Sequence, residues 1–117
     1  MNTILDVINA VDEKFSSEDK WTKGVYARNA DGNKVIETYP GAVCWCLDGC
    51  VISLTAELQY PAASITSKLG SDVLSYFQKK IYKKFSMSLI HLWNDAPERT
   101  FQDIKNLLTE CKKELSV

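Results

Sequence analysis

The chain has 117 residues, with 14 Lys plus Arg against 15 Asp plus Glu and 45% hydrophobic residues, the make-up of one ordinary globular domain over residues 1–117. Its length argues against a two-domain enzyme, and a formal charge of −1 argues against bulk attraction to nucleic acid or anionic membrane. No run approaches the ~18 to 20 apolar residues of a membrane-spanning helix.

Ile4, Leu5, Ile8, Val11 and Phe15 recur at helical spacing behind Thr3 and Asp6, which are placed as a capping box, and predict a helix over about 3–15. The same segment is interrupted by Asp6, Asp12 and Glu13, so no signal peptide is expected. After a polar connector at 16–20, turn residues and β-branched side chains predict a hairpin. Its strands are Val25 to Arg28 and Lys34 to Thr38, joined by a turn carrying Asn29, Asp31, Gly32 and Asn33. Val43, Leu47, Cys50, Leu54 and Leu58 then repeat every three or four residues and predict a core-facing helix. A short helix is expected at 61–69, opened by Pro61 and closed by Gly70. Ser71 and Asp72 are expected to start another, with Val73, Leu74, Phe77, Ile81 and Phe85 on its apolar side and Lys79, Lys80, Lys83 and Lys84 opposite. Pro97 restricts Ala96 to extended geometry, so residues 94–99 are expected as a loop. A final helix follows Thr100 and Asp103, with Phe101, Ile104, Leu108, Cys111 and Leu115 facing inward. The expected fold is mainly α: a compact bundle of four to five helices with a small two-stranded β-hairpin.

Residues able to carry chemistry are few. On a helix Cys46 and Cys50 share one face while Cys44 points away, so at most two of the three clustered thiols converge, and Cys111 and His91 are distant in sequence. Buried core thiols are therefore expected, with no metal, no cofactor and no disulfide framework, which suits a reducing cytoplasm. His91 sits in the apolar stretch Leu89 to Trp93 and is read as a partly buried ring. Residues 68–84 carry a local charge of about +4 and the first twenty residues −3. The lysine face at 79, 80, 83 and 84 is thus either a site for an acidic partner or a surface paired within the molecule. Only two arginines are present, Arg28 and Arg99, which disfavours base readout in nucleic acid.

Three motifs carry a family resemblance: Trp21-x-x-Gly24-x-x-Ala27-Arg28, Ala42-Val43-Cys44-Trp45-Cys46-Leu47-x-Gly49, and Trp93-Asn94-Asp95-x-Pro97-x-Arg99-Thr100. Together, over about residues 20–112, they resemble a small domain of unknown function found in bacteriophages and bacteria. The resemblance implies a phage or mobile-element setting and no established activity. Trp21, Arg28, Asn94, Asp95 and Arg99 fall on expected turns, where a helical scaffold presents binding groups, and form the candidate binding set. With no catalytic constellation, the leading expectation is a cytoplasmic, non-catalytic interaction protein, monomeric or homodimeric, which binds a host protein as an accessory or counter-defence factor. The alternative is a small-ligand-binding protein or enzyme using Arg28, Asn94, Asp95 and Arg99, with His91 or a cysteine assisting.

Overall fold

The computed structural model describes all 117 residues. Five helices, α1 (Ile4–Lys14), α2 (Leu47–Thr55), α3 (Lys68–Phe85), α4 (Ile90–Asp95) and α5 (Phe101–Leu115), pack beside a sheet of β1 (Ala27–Asn29), β2 (Lys34–Val35) and β3 (Ala42–Trp45). The fold is helix-dominated, as its sequence indicates, but the sheet has three strands in the order β2-β1-β3 rather than two. Both neighbours run antiparallel to β1, pairing Ala27 with Val35 on one side and with Trp45 on the other.

The two long-range anchors of the bundle are the capped helices. Thr3 Oγ1 accepts from the Asp6 amide at 3.1 Å while Asp6 Oδ2 accepts from the Thr3 amide at 3.1 Å. Thr100 and Asp103 repeat the exchange at 3.2 and 2.9 Å. Each box satisfies amides that an uncapped first turn would leave without partners. Helix α1 buries Val7, Ile8 and Val11, and α5 buries Ile104, Leu107, Leu108 and Cys111. These meet Val73, Phe77 and Ile81 of α3 in one core with Phe15, Leu47, Cys50, Val51, Ile90 and Trp93. Lys105 fastens the end of α1 to α5 by donating to the Phe15 carbonyl at 3.0 Å and pairing with Asp12.

The expected hairpin forms, with shorter strands. Asn29 Oδ1 accepts from the amides of Asp31 and Asn33, both at 3.0 Å, and Gly32 takes a φ of 83° that L side chains rarely adopt.

Four expected elements are corrected. Residues 42–45 are strand β3, not helix: Val43 is exposed, Cys44 is buried, and the segment pairs with β1. Helix α2 begins only at Leu47, capped by Cys46, whose Sγ accepts from the Gly49 amide at 3.3 Å. The spacing from Val43 to Leu58 was therefore not one stripe; both of its ends lie outside the helix. Residues 61–67 are not helical. Leu58 and Ile65 bridge each other in an irregular loop, and Thr38 Oγ1 accepts from the Tyr60 amide at 2.8 Å. Ser67, not Ser71, caps α3, accepting from the Gly70 amide at 3.0 Å, so Gly70 lies inside the first turn rather than ending a helix. Finally, Asn94 and Asp95 form the last turn of α4, and only the following residues are irregular. Pro97 holds Ala96 extended, as expected, and this ends the helix after Asp95.

Candidate functional site

The loop leading into β1, the start of α2 and the end of α4 meet at Asn94. Its side chain is fully buried and uses all four of its hydrogen-bonding positions. Oδ1 accepts from Trp21 Nε1 at 2.8 Å and from the Leu47 amide at 3.1 Å. Nδ2 donates to the Thr22 carbonyl at 3.1 Å and to Asp95 Oδ1 at 2.9 Å. Asp95 Oδ1 also accepts from the Gly24 amide at 2.9 Å. Trp21, Asn94 and Asp95 are thus brought together, but as a clip between segments. Arg28 braces the same loop from behind, donating to Thr22 Oγ1, the Lys23 carbonyl and the Gly32 carbonyl at 2.9, 3.0 and 3.2 Å. Arg99 stands apart from them. It stacks 4.4 Å over the Trp93 ring and donates to the Trp93 carbonyl at 2.9 Å. Of these five side chains Asp95 also lines a hollow in the surface.

The lysine face is divided in the same way. Lys80 pairs with Glu114 at 2.7 Å and Glu110 at 3.6 Å, and Lys84 pairs with Glu110, so these two tie α3 to α5 rather than to the N-terminal helix. Lys79 and Lys83 have no carboxylate partner, and Lys79 borders a hollow with Gln78, Tyr82 and Ser88.

That hollow, of about 430 Å³, is the first of three joined along one side of the molecule. Through Gln78 it continues into one of about 240 Å³ between α3 and α4, lined by Asp48, Leu89 and His91 among others. Through His91 that one continues into a third, of about 230 Å³, walled by Tyr26, Lys34, Cys46 and Asp95. The three adjoin at these two shared side chains and form a row of open hollows, a furrow along this side. Tyr82, Leu89 and Tyr26 along it are 62%, 44% and 49% exposed. His91 is exposed and on this furrow, not partly buried as its apolar neighbours suggest. The sequence reading did not select Tyr26, Lys34, Asp48 or Gln78, which no motif unites. One signal did exist: Asp48 is the only charged residue between Ala42 and Leu54.

Asp48 is also the electrostatic anomaly of the site. Burial pushes its carboxyl up to about 6, against a smaller opposing effect of His91, and Asp95 adds repulsion. Its Oδ1 is buried with no hydrogen-bond donor. Since the carboxyl is raised above its unfolded value near 3.8, its contribution to stability is full below about pH 4 and is lost as pH rises through about 6. Asp48→Asn removes this loss. The variant is expected to match the native protein near pH 4 and to exceed it by about 2 to 3 kcal/mol at pH 8, measured by urea unfolding across that range. Asp12 and Glu110, which salt bridges hold below their ordinary values, contribute alike to both proteins and cancel in the difference. Equal stabilities at pH 8 would refute the assignment.

The thiols have a different character. All four cysteines are unpaired and buried. Burial pushes the Cys46 and Cys50 thiols up to about 12 and the Cys111 thiol to about 11, leaving little thiolate at neutral pH. No three His, Cys, Asp or Glu side chains are grouped to hold a metal ion, and no helix is long and apolar enough to cross a membrane.

No curated protein and no solved structure matches the chain significantly. The family of unknown function DUF6197 matches residues 1–114, and with nearly the whole chain matched, the protein is a member of that family.

Proposed function

We propose that the protein is a non-catalytic interaction domain whose furrow receives an extended segment of a partner protein. The observation that carries this reading is the row of three hollows from Tyr82 to Tyr26, each adjoining the next at a shared side chain, Gln78 and then His91. A small-molecule pocket is typically one concave site of ~300 to 1,000 Å³ that surrounds its ligand; here two hollows are smaller and all three are open. Ser71 and Tyr82 both line the furrow and are separated by about 16 Å along α3 at 1.5 Å per residue. That distance accommodates roughly five residues of extended chain at ~3.3 Å each. Exposed tyrosines bordering such a groove are the anchors that dominate peptide interfaces. The only thiol on the furrow, Cys46, is a poor nucleophile for the reason given above, which favours binding over covalent chemistry. Placement in a reducing cytoplasm is part of the proposal and agrees with four free thiols. The mobile-element setting, with a host protein as partner, rests on the motif resemblance rather than on geometry.

Selection of a random nonapeptide display library on the immobilised protein tests the proposal. Enriched peptides are expected to share a spaced pattern and to bind Tyr82→Ala and Leu89→Ser about tenfold more weakly, the usual loss for a truncated anchor. Both residues are exposed, so neither substitution disturbs the core. No enrichment, or enriched peptides that bind both variants as tightly as the native protein, would overturn it.

A further inference from the structure

The furrow changes character along its length. At the Tyr82 end the ring of Tyr82 stands among Gln78, Lys79 and Ser88, with no carboxylate. At the His91 junction the two adjoining hollows each contribute a carboxylate, Asp48 on one side and Asp95 on the other. Asp95 is compensated by the Gly24 amide and Asn94. Asp48 is not: it receives no side-chain or backbone donor from another residue, and one oxygen is buried. A largely buried carboxylate without partners is costly, and native proteins nearly always satisfy such groups. Among neighbouring side chains, that of His91 favours its ionised form, and His91 is itself exposed. Oδ1 is out of reach from the furrow, so a cation brought by the bound segment would pair with this carboxylate through Oδ2, in a crevice where charge attraction is stronger than in bulk water.

We infer that the His91 junction is a recognition subsite for one basic side chain, lysine or arginine, of the partner segment, held between Asp48 and Asp95. This rests on the furrow being a peptide site and adds the chemical class of its occupant. Tyr26 supplies an exposed aromatic ring on the wall of the same hollow, suited to covering the aliphatic stem or the cation. Lys34, also on that wall, disfavours a second basic residue beyond the first and favours an acidic group there. The segment is therefore read as apolar toward Tyr82 and Leu89, basic at His91, and neutral or acidic toward Lys34.

The test uses three single-residue probes, the N-acetyl amides of arginine, lysine and norleucine, titrated into labelled protein and followed by backbone amide NMR shifts. The arginine and lysine amides are expected to shift the Tyr26, His91 and Asp95 amides saturably, norleucine amide is expected not to, and Asp48→Asn is expected to weaken both cations tenfold or more. A double-mutant cycle extends this to selected peptides: replacing their basic residue by Gln should weaken binding to the native protein and barely affect binding to Asp48→Asn. Equal shifts from norleucine amide, no shifts from either cation, or unchanged affinity in Asp48→Asn would each overturn the inference. Selected peptides that share apolar anchors but no basic residue would refute this subsite and leave the furrow standing. Cation binding at His91 without any peptide consensus would do the reverse.

Discussion

Asn94→Ala is expected to lower stability by about 4 kcal/mol, through the loss of four hydrogen bonds from a fully buried side chain. A single neutral hydrogen bond contributes only about 1 kcal/mol net, but its removal costs more when the abandoned partners stay dry, about 1 to 3 kcal/mol for each such group. Trp21 Nε1 and the Leu47 amide lose their acceptor together, and the Thr22 carbonyl loses a donor. The Leu47 amide belongs to the first turn of α2, where no intrahelical partner exists. Against a typical domain stability of 5 to 15 kcal/mol this is a large fraction, and for a chain of this size it corresponds to a fall in Tm of about 15 °C. Thermal unfolding by circular dichroism measures it. Asn94→Asp should be no milder, since it keeps the acceptors but replaces both donors by a charge beside Asp95. A fall of less than about 5 °C in both variants would show that the clip is dispensable and would reopen Asn94 as a ligand-binding group.

That clip also explains which parts of the molecule were legible in the sequence. The capping boxes at Thr3 and Thr100 span three residues, so their signal is local and complete in the text. The Asn29 to Asn33 turn is local in the same way. Strand β3 is different: Ala42 to Trp45 becomes a strand because Arg28 and its neighbours lie alongside, and the spacing of Val43, Leu47 and Cys50 imitates a helical stripe until that pairing is known. Ser67 and Ser71 are equally good caps by composition. The choice falls on Ser67 because α3 must place Gly70 against Thr55 of α2, a contact no local pattern announces. The binding set was half legible. Trp21 and Asn94 do meet across 73 positions of sequence, yet their polarity is spent on each other. The furrow takes its walls from the loop before β1, from β2, from the start of α2, from α4 and from one helical stripe of α3 through Ser71, Leu74, Ser75, Gln78 and Tyr82. That stripe is of mixed polarity and reads in the sequence as a solvated face, and Asp48 shows there only as an isolated charge in an apolar run.

Gly49→Ala is the second large effect, expected to destabilise by about 3 kcal/mol or more, at the upper end for overpacking. A Cβ at Gly49 would stand 2.1 Å from the Tyr26 carbonyl oxygen and 2.9 Å from its carbon. Those are backbone atoms, and the oxygen also accepts from the Cys46 amide at 3.2 Å, so it cannot retreat without breaking the junction between β1 and α2. Gly70→Ala provides the comparison. There the added Cβ would stand 2.4 Å from Thr55 Oγ1, a side-chain atom that donates to the Val51 carbonyl at 2.8 Å, and 3.2 and 3.3 Å from Ser67 Oγ and Thr55 Cβ, so relief needs a χ1 rotation at Thr55 and small side-chain shifts but no retreat of a backbone carbonyl. Both substitutions gain the same ~1 kcal/mol of helix propensity, so the difference between them isolates the backbone collision. Gly49→Ala should melt well below Gly70→Ala. It should also weaken binding of any furrow peptide, because Tyr26 and Asp48 flank the displaced contact, whereas Gly70→Ala should leave the peptide affinity unchanged. Equal melting temperatures would mean that α2 and β1 can separate freely, and the wall of the furrow formed by Tyr26 would then be too loosely held to select a side chain.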